Sequence, residues 1–75
     1  MTYKIELLEG VETIAEYVCD SGAEALATVK KILKVKHQRE HLLIGSYDDD
    51  GIFYDSEWIV FEEDIKPAFF IGEGA

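Results

Sequence analysis

The chain begins with an alternation of hydrophobic and polar residues that is typical of a β-strand. Within residues 3–8, Tyr3, Ile5 and Leu7 fall on one face. Glu9-Gly10 follows as a turn signal of the kind found in three-residue hairpin loops. These features predict a first strand that leads into a β-hairpin.

Residues 11–19 contain two competing periodicities. Helical spacing is present in Val11, Ile14, Ala15 and Val18, and strand spacing is present in Val11, Thr13, Ala15, Tyr17 and Cys19. A three-residue loop would bring the second set to the same face as the hydrophobic residues of the first strand. We favour the strand, because so short a helix without an N-cap is marginal. A helix is the alternative.

The clearest element is a helix over residues 22–36. Ser21 and Glu24 form a capping-box pattern, in which Glu24 reaches back to the N–H of Ser21. One stripe at the 3.6-residue period follows, made of Ala25, Leu26, Val29, Ile32, Leu33 and the stem of Lys36. Four lysines lie toward the negative end of the helix dipole, Lys30, Lys31, Lys34 and Lys36. We expect Leu26, Val29 and Leu33 to be buried against a sheet.

The second half of the chain is rich in strand-forming residues. Residues 41–47 predict a strand, and Asp48-Asp49-Asp50-Gly51 predicts a turn. Residues 52–61 are aromatic and β-branched at both ends, and they form either one strand or two strands with a break at 55–57.

The end of the chain and the order of elements set the expected fold. Pro67 restricts any last strand around residues 68–71 to an edge position. The chain has 75 residues, which is enough for one small domain, and 48% of them are hydrophobic. The order ββαββ, with a possible further strand, predicts an α+β domain in which one helix covers one face of an antiparallel sheet.

The charge narrows the choice of partner. Sixteen acidic and seven basic residues give a net charge of −9. A direct nucleic-acid binder needs a basic face, and an anionic membrane repels an acidic protein, so we expect neither partner. Proteins with basic surfaces, including channels that hold DNA or RNA, are favoured instead. The alternative is that the acidity serves only solubility.

Several sequence features indicate a cytoplasmic protein. Cys19 is the only cysteine, so no intramolecular disulfide can form. The first residues lack the basic and apolar pattern of a signal peptide, and no apolar run is long enough for a membrane span. We expect the cytoplasm, or the host cytoplasm if a phage encodes the chain.

The sequence offers little for catalysis or for a cofactor. His37 and His41 have a spacing known in zinc sites, but with Cys19 they supply only three of the four usual ligands. Both histidines fall in a polar connection where exposure is expected. Cys19 falls on the core-facing side of the second strand, where a thiol is inert. No glycine-rich phosphate loop is present, and we expect neither an enzyme nor a cofactor.

The segment Ser46–Glu57 resembles the calcium loop of the EF-hand family. The positions that match its twelve-residue pattern are Asp48, Asp50, Gly51 and Glu57. Ile52 would offer its carbonyl oxygen, and Phe53 suits the apolar eighth position. Ser46 replaces the usual first aspartate, and the flanks are predicted strands, whereas the family has helices. We therefore expect no tight calcium binding, and an aspartate-rich hairpin turn is the simpler interpretation.

The acidic residues cluster along the chain. Residues 30–39 contain five basic residues and no acid, so this segment is +5 and the rest of the chain is −14. Alternate carboxylates on a strand, such as Asp55 and Glu57, lie about 6.6 Å apart, which is comparable to neighbouring phosphates. We expect the first hairpin tip to lie beside the aspartate turn. The candidate partner-binding residues are Glu9, Glu12, Asp48, Asp49, Asp50, Asp55, Glu57, Glu62, Glu63 and Asp64.

Nine aromatic residues exceed what one small core can enclose. Strand alternation cannot turn both Phe69 and Phe70 inward, so some aromatic rings are expected on the surface. Exposed aromatic residues bordered by charge are typical anchors of protein interfaces. Trp58, Phe69 and Phe70 are therefore an alternative interface, and a homodimer would use them equally well.

Together these features favour a small, acidic, non-enzymatic protein-binding module. Its size and charge are similar to those of phage and mobile-element inhibitors that mimic nucleic-acid charge and block restriction or CRISPR machinery. A partner of this kind would be a nucleic-acid-binding protein or complex with a basic surface. The rival class is a small cellular structural or homodimeric protein, and the third is a calcium-binding loop protein.

Overall fold

The computed structural model describes residues 1–71 and consists of one sheet, one helix and two short 3₁₀ turns. The elements are β1 (Thr2–Glu9), β2 (Glu12–Cys19), α1 (Gly22–Val35), β3 (Glu40–Tyr47), β4 (Phe53–Ile59), a first 3₁₀ turn (Glu62–Asp64) and a second 3₁₀ turn (Pro67–Phe70). The four strands are antiparallel in the order β2-β1-β3-β4. The α+β class and the order ββαββ are as predicted. Within residues 1–71, no helix has the length and apolar character needed to cross a bilayer.

The first hairpin has a shorter loop than predicted and an irregularity that compensates for it. Glu9 pairs with Glu12 across a two-residue loop, in which Gly10 adopts the left-handed conformation at φ 64°. Because Ile14 is an extra residue in β2, the register shifts, and Leu7 then pairs with Ala15.

This shift decides which residues of β2 face the helix. Residues 12–19 form a strand, and Ala15, Tyr17 and Cys19 share the face of Tyr3 and Ile5 as predicted. Val11 and Thr13 do not, because Val11 lies in the exposed loop and Thr13 pairs with Leu8. Leu7 packs half-buried against the core, whereas its neighbour Leu8 is buried on the opposite face of the sheet.

The helix is confirmed, with small differences at its start and in its packing. The Ser21 hydroxyl accepts a hydrogen bond from Glu24 N at 3.1 Å, but the Glu24 carboxylate accepts from Asp20 N rather than from Ser21 N. Burial is greatest along the centre of the predicted stripe, at Ala25, Val29 and Ile32. Leu26 and Leu33, which were predicted to be buried, are half-buried at its margins.

Residues 40–71 form one hairpin followed by two 3₁₀ turns, and this part of the chain contains no strand after β4. β4 is a single strand with an irregularity at Tyr54, and it ends at Ile59. The further strand that the sequence left open around residues 68–71 does not form, because Pro67 begins a 3₁₀ turn instead. Proline fixes φ near its helical value and removes an N–H donor, which favours the start of a helical turn.

The second 3₁₀ turn closes the core over β1 and the start of α1. The Tyr3 hydroxyl donates to the Phe69 carbonyl at 3.2 Å, and the Tyr3 ring contacts the rings of Phe69 and Phe70. A Cβ atom placed on Gly22 would lie 1.5 Å from the Phe70 carbonyl oxygen. Only glycine therefore permits this approach between the helix and the turn.

Candidate functional site

The predicted acidic surface is divided between the two ends of the sheet. Glu9 pairs with Glu40 at one end of β1, and Thr2 pairs with Tyr47 at the other. The hairpin tip at residues 9–12 therefore lies at the opposite end from the turn at residues 48–51. The expectation that these two acidic groups lie side by side is wrong, because antiparallel pairing separates them by the length of a strand.

Basic residues accompany the acidic residues at the hairpin-tip end. Arg39 Nε lies 2.8 Å from Glu9 Oε2. Glu62 and Glu63 line a groove of about 480 Å³ together with three lysines of the helix, Lys30, Lys34 and Lys36. Opposite charges in close proximity reduce the field that a distant partner meets, so this end is electrostatically mixed.

Asp64 has a structural role. Its Oδ2 atom accepts hydrogen bonds from Phe61 N at 2.9 Å and from Val60 N at 3.0 Å. The bond from Phe61 N, then that from Val60 N, and to a smaller extent the charge of Lys66, lower the pKa of Asp64, while desolvation opposes them. This carboxylate holds the chain at the end of β4 in place and is a poor candidate for partner binding.

The five remaining candidate carboxylates lie on the β3–β4 hairpin. We call this set the acidic hairpin: Asp48, Asp49, Asp50, Asp55 and Glu57. Its turn is rigid, because Asp48 Oδ1 accepts from both Asp50 N and Ile52 N at 2.9 Å. Gly51 adopts φ 79° and donates its N–H to the Asp48 carbonyl, which completes the turn.

Asp55 and Glu57 occupy the same face of the edge strand β4, as the sequence predicts. They pair with Ser46 and Ile44, whose side chains point toward the core side of the sheet. Asp55 is exposed, and the Glu57 side chain is only 21% exposed and lies 3.4 Å from Lys66 Nζ. These two carboxylates extend the negative charge of the turn along the strand.

A shallow depression lies between β4 and the second 3₁₀ turn. Its volume is about 280 Å³, and its lining consists of Ser46, Tyr54, Asp55, Glu57, Lys66, Ala68 and Phe69. The Ser46 hydroxyl lies at 1% exposure and donates to the Asp55 carbonyl at 3.2 Å. Tyr54 and Lys66 were not among the predicted site residues, because only the irregularity in β4 and the path of the last segment bring them here.

The basic segment lies away from the acidic hairpin. The helix begins just after Cys19, which pairs with Tyr3 near the aspartate-turn end of the sheet, and it runs toward the other end. Its last turn and the following loop therefore place Lys34, Lys36 and Arg39 at the hairpin-tip end. The hairpin-tip end is therefore mixed in charge. The aspartate-turn end has an excess of negative charge, although the Met1 amino group lies 3.6 Å from Asp49 Oδ1 and Lys66 lies beside Glu57.

The residues considered as metal ligands or as a reactive thiol are held in strands, in the core or apart from one another. The segment that resembles an EF-hand loop lies within the β3–β4 hairpin, so strands rather than helices adjoin it, and its two ends are themselves parts of β3 and β4. Within residues 1–71, no three His, Cys, Asp or Glu side chains are grouped as a metal site. Cys19 is buried with its Sγ 3.7 Å from Thr28 Oγ1. His37 is exposed as predicted, but His41 is half-buried in β3, and its ring packs 5.0 Å from that of Trp58.

The predicted aromatic interface is only partly on the surface. Phe70 is buried and Phe69 half-buried, so the expectation that the two rings cannot both turn inward is wrong. The 3₁₀ turn, unlike a strand, directs both rings to the core around Tyr3, which makes this pair a poor candidate for an interface. Trp58 is 56% exposed on the helix-free face of the sheet, where it pairs with Leu43. Phe53, also exposed, contacts Tyr47 on that face.

The comparisons with known proteins do not add a functional assignment. The chain matches no protein-family model, and no curated protein or solved structure is detectably similar to it.

Proposed function

We propose that this chain is a small, acidic, non-enzymatic protein-binding module that occupies the basic, nucleic-acid-handling surface of another protein. The observation that supports the proposal is the concentration of five carboxylates on the acidic hairpin, at the opposite end from the basic residues of α1. The partner is a nucleic-acid-binding protein or complex, and the setting is the cytoplasm, or the host cytoplasm for a phage-encoded inhibitor.

The spacing and rigidity of the acidic hairpin support charge mimicry. Asp55 and Glu57 follow each other at about 6.6 Å on one face of a strand, a distance similar to that between phosphates along a nucleic-acid strand. The hydrogen bonds of Asp48 hold the turn in one conformation. Because the backbone of the turn is fixed before binding, little loop entropy is lost when a basic partner docks.

The test compares two variants that lose equal charge at opposite ends. One is D48N/D49N/D50N, in which asparagine keeps the Asp48 Oδ1 acceptor, and the other is E12Q/E62Q/E63Q. A partner is captured from a lysate, identified, purified, and its binding rates are measured against salt. We expect the aspartate variant to reduce the association rate more than the glutamate variant does, with little change in dissociation. Nucleic acid should compete with the module.

Two results would contradict the proposal. One is a complex that is insensitive to salt and to both triple variants but is lost in Trp58→Ala. The other is a partner that binds the module and nucleic acid at the same time. The first result would place the interface on the helix-free face of the sheet around Trp58, and either result would make charge mimicry wrong.

A homodimer is the second candidate function, and the exposed rings of Trp58 and Phe53 favour it. Such a dimer would join two helix-free faces. Pairing of two β4 edges around Ser56 would place Asp55 opposite Glu57 of the second copy, and like charges in that position are destabilising. Sedimentation of the wild type and Trp58→Ala measures the oligomeric state; a wild-type monomer at high concentration would exclude this candidate.

A further inference from the structure

We infer that the depression between β4 and the second 3₁₀ turn accepts an arginine side chain of the basic partner. This inference rests on the proposed function and identifies the group that the acidic hairpin recognises. The depression has about 280 Å³, which is near the lower limit of small-molecule pockets and is suited to a single side chain.

The lining combines negative charge with aromatic surface. Asp55 is exposed at the mouth, and Glu57 is half-buried beside it, so the carboxylates approach a cation from one strand. Tyr54 is 55% exposed and supplies a ring, and Phe69 contributes an apolar wall. A guanidinium group fits this combination, because it stacks on aromatic rings and donates several hydrogen bonds to carboxylates in one plane.

The chain already places one of its own cations at this position. Lys66 Nζ lies 3.4 Å from Glu57 Oε1, while the Lys66 side chain remains 70% exposed. A contact so open to solvent is weak and is replaced at low cost. An incoming arginine therefore competes with Lys66 for Glu57, and removal of Lys66 should strengthen the binding of arginine.

The experiment measures binding of a short blocked peptide, acetyl-Gly-Arg-Gly-amide, by backbone amide chemical shifts. Two control peptides carry citrulline or lysine in place of arginine. Citrulline has nearly the shape of arginine without its charge, and lysine has the charge without the planar guanidinium group. We expect the arginine peptide to shift the amides of residues 54–57 and 68–69 and to bind more tightly than the other two peptides.

Matched variants separate the depression from the general negative field. Asp55→Asn is compared with Asp49→Asn, because Asp49 lies in the turn outside the depression. Lys66→Ala is compared with Lys31→Ala, which makes the same change in net charge on the exposed side of α1. We expect about two- to fivefold weaker binding in Asp55→Asn, and tighter binding by a similar factor in Lys66→Ala, with smaller changes in the two controls.

Each opposite result overturns the inference. Equal binding of the citrulline or lysine peptide removes the guanidinium preference, and equal effects of Lys66→Ala and Lys31→Ala remove the competition with Lys66. If the arginine peptide does not bind in the depression but the D48N/D49N/D50N variant is still slow to bind the partner, this inference alone is contradicted. Peptide binding in the depression, with a partner insensitive to that triple variant, contradicts the proposed function instead.

Discussion

Gly22→Ala should destabilise the protein, although alanine is normally the better residue in a helix. Gly22 is the first residue of α1, and replacement of glycine by alanine within a helix usually stabilises it by about 0.5–1 kcal/mol. Here a Cβ atom would lie 1.5 Å from the Phe70 carbonyl oxygen and 2.6 Å from its carbon. Since these are backbone atoms, no side-chain rotation relieves the overlap.

The expected cost follows from the movement that the added methyl group requires. Side-chain carbons essentially never approach closer than 3.0 Å, so the Phe70 carbonyl must move away by about 1.5 Å. Overpacking of this kind costs about 1–3 kcal/mol. If the second 3₁₀ turn detaches, the buried Phe70 ring is lost from the core as well, and the cost approaches the 3–5 kcal/mol of a phenylalanine deletion.

The assay is urea denaturation followed by far-ultraviolet circular dichroism. We expect a lower midpoint for Gly22→Ala, or an unfolded chain, because a domain this small has a stability of only about 3–5 kcal/mol. Ala27→Gly is the control on the exposed side of the same helix, and its usual cost of about 1 kcal/mol shows that ordinary helix propensity holds there.

A double-mutant cycle tests the contact between Gly22 and Phe70 even if the single variant is very unstable. Phe70→Leu loosens the second 3₁₀ turn, so Gly22→Ala should cost less in that background than in the wild type. A midpoint that stays the same or rises in Gly22→Ala would refute the close approach of α1 and the turn. Additive costs in the cycle would show that the two residues do not interact.

Two further results are expected. Val29→Ala should lower the free energy of unfolding by about 2 kcal/mol, because it removes two fully buried methyl groups. Val35 lies in the same helix but is 77% exposed, so Val35→Ala should change the free energy of unfolding by less than about 0.5 kcal/mol. Equal effects of the two variants in denaturation would contradict the packing of α1. Calorimetric titration of the whole protein with calcium should reveal no binding at residues 46–57 in the micromolar range of sensor EF-hands. A dissociation constant in that range would make this expectation wrong.

The sequence by itself determined those elements whose signals are local. Ser21 accepts a hydrogen bond three residues along the chain, and the apolar stripe repeats at the helical period, so α1 was predictable to within one residue at its end. The aspartate turn was equally predictable, because Asp48 bonds to N–H groups two and four residues away. Asp55 and Glu57 share a face because strand residues alternate.

The tertiary structure decided everything that depends on pairing between distant segments. The extra residue Ile14 shifts the register of β2, and only the pairing of β1 with β3 places the tip at residues 9–12 opposite the turn at residues 48–51. Phe70 became a core residue because Gly22 and Tyr3 provide a place for it. Lys66 lies beside Glu57 for the same reason, because the path of the last segment is fixed by packing and carries no short-range signal.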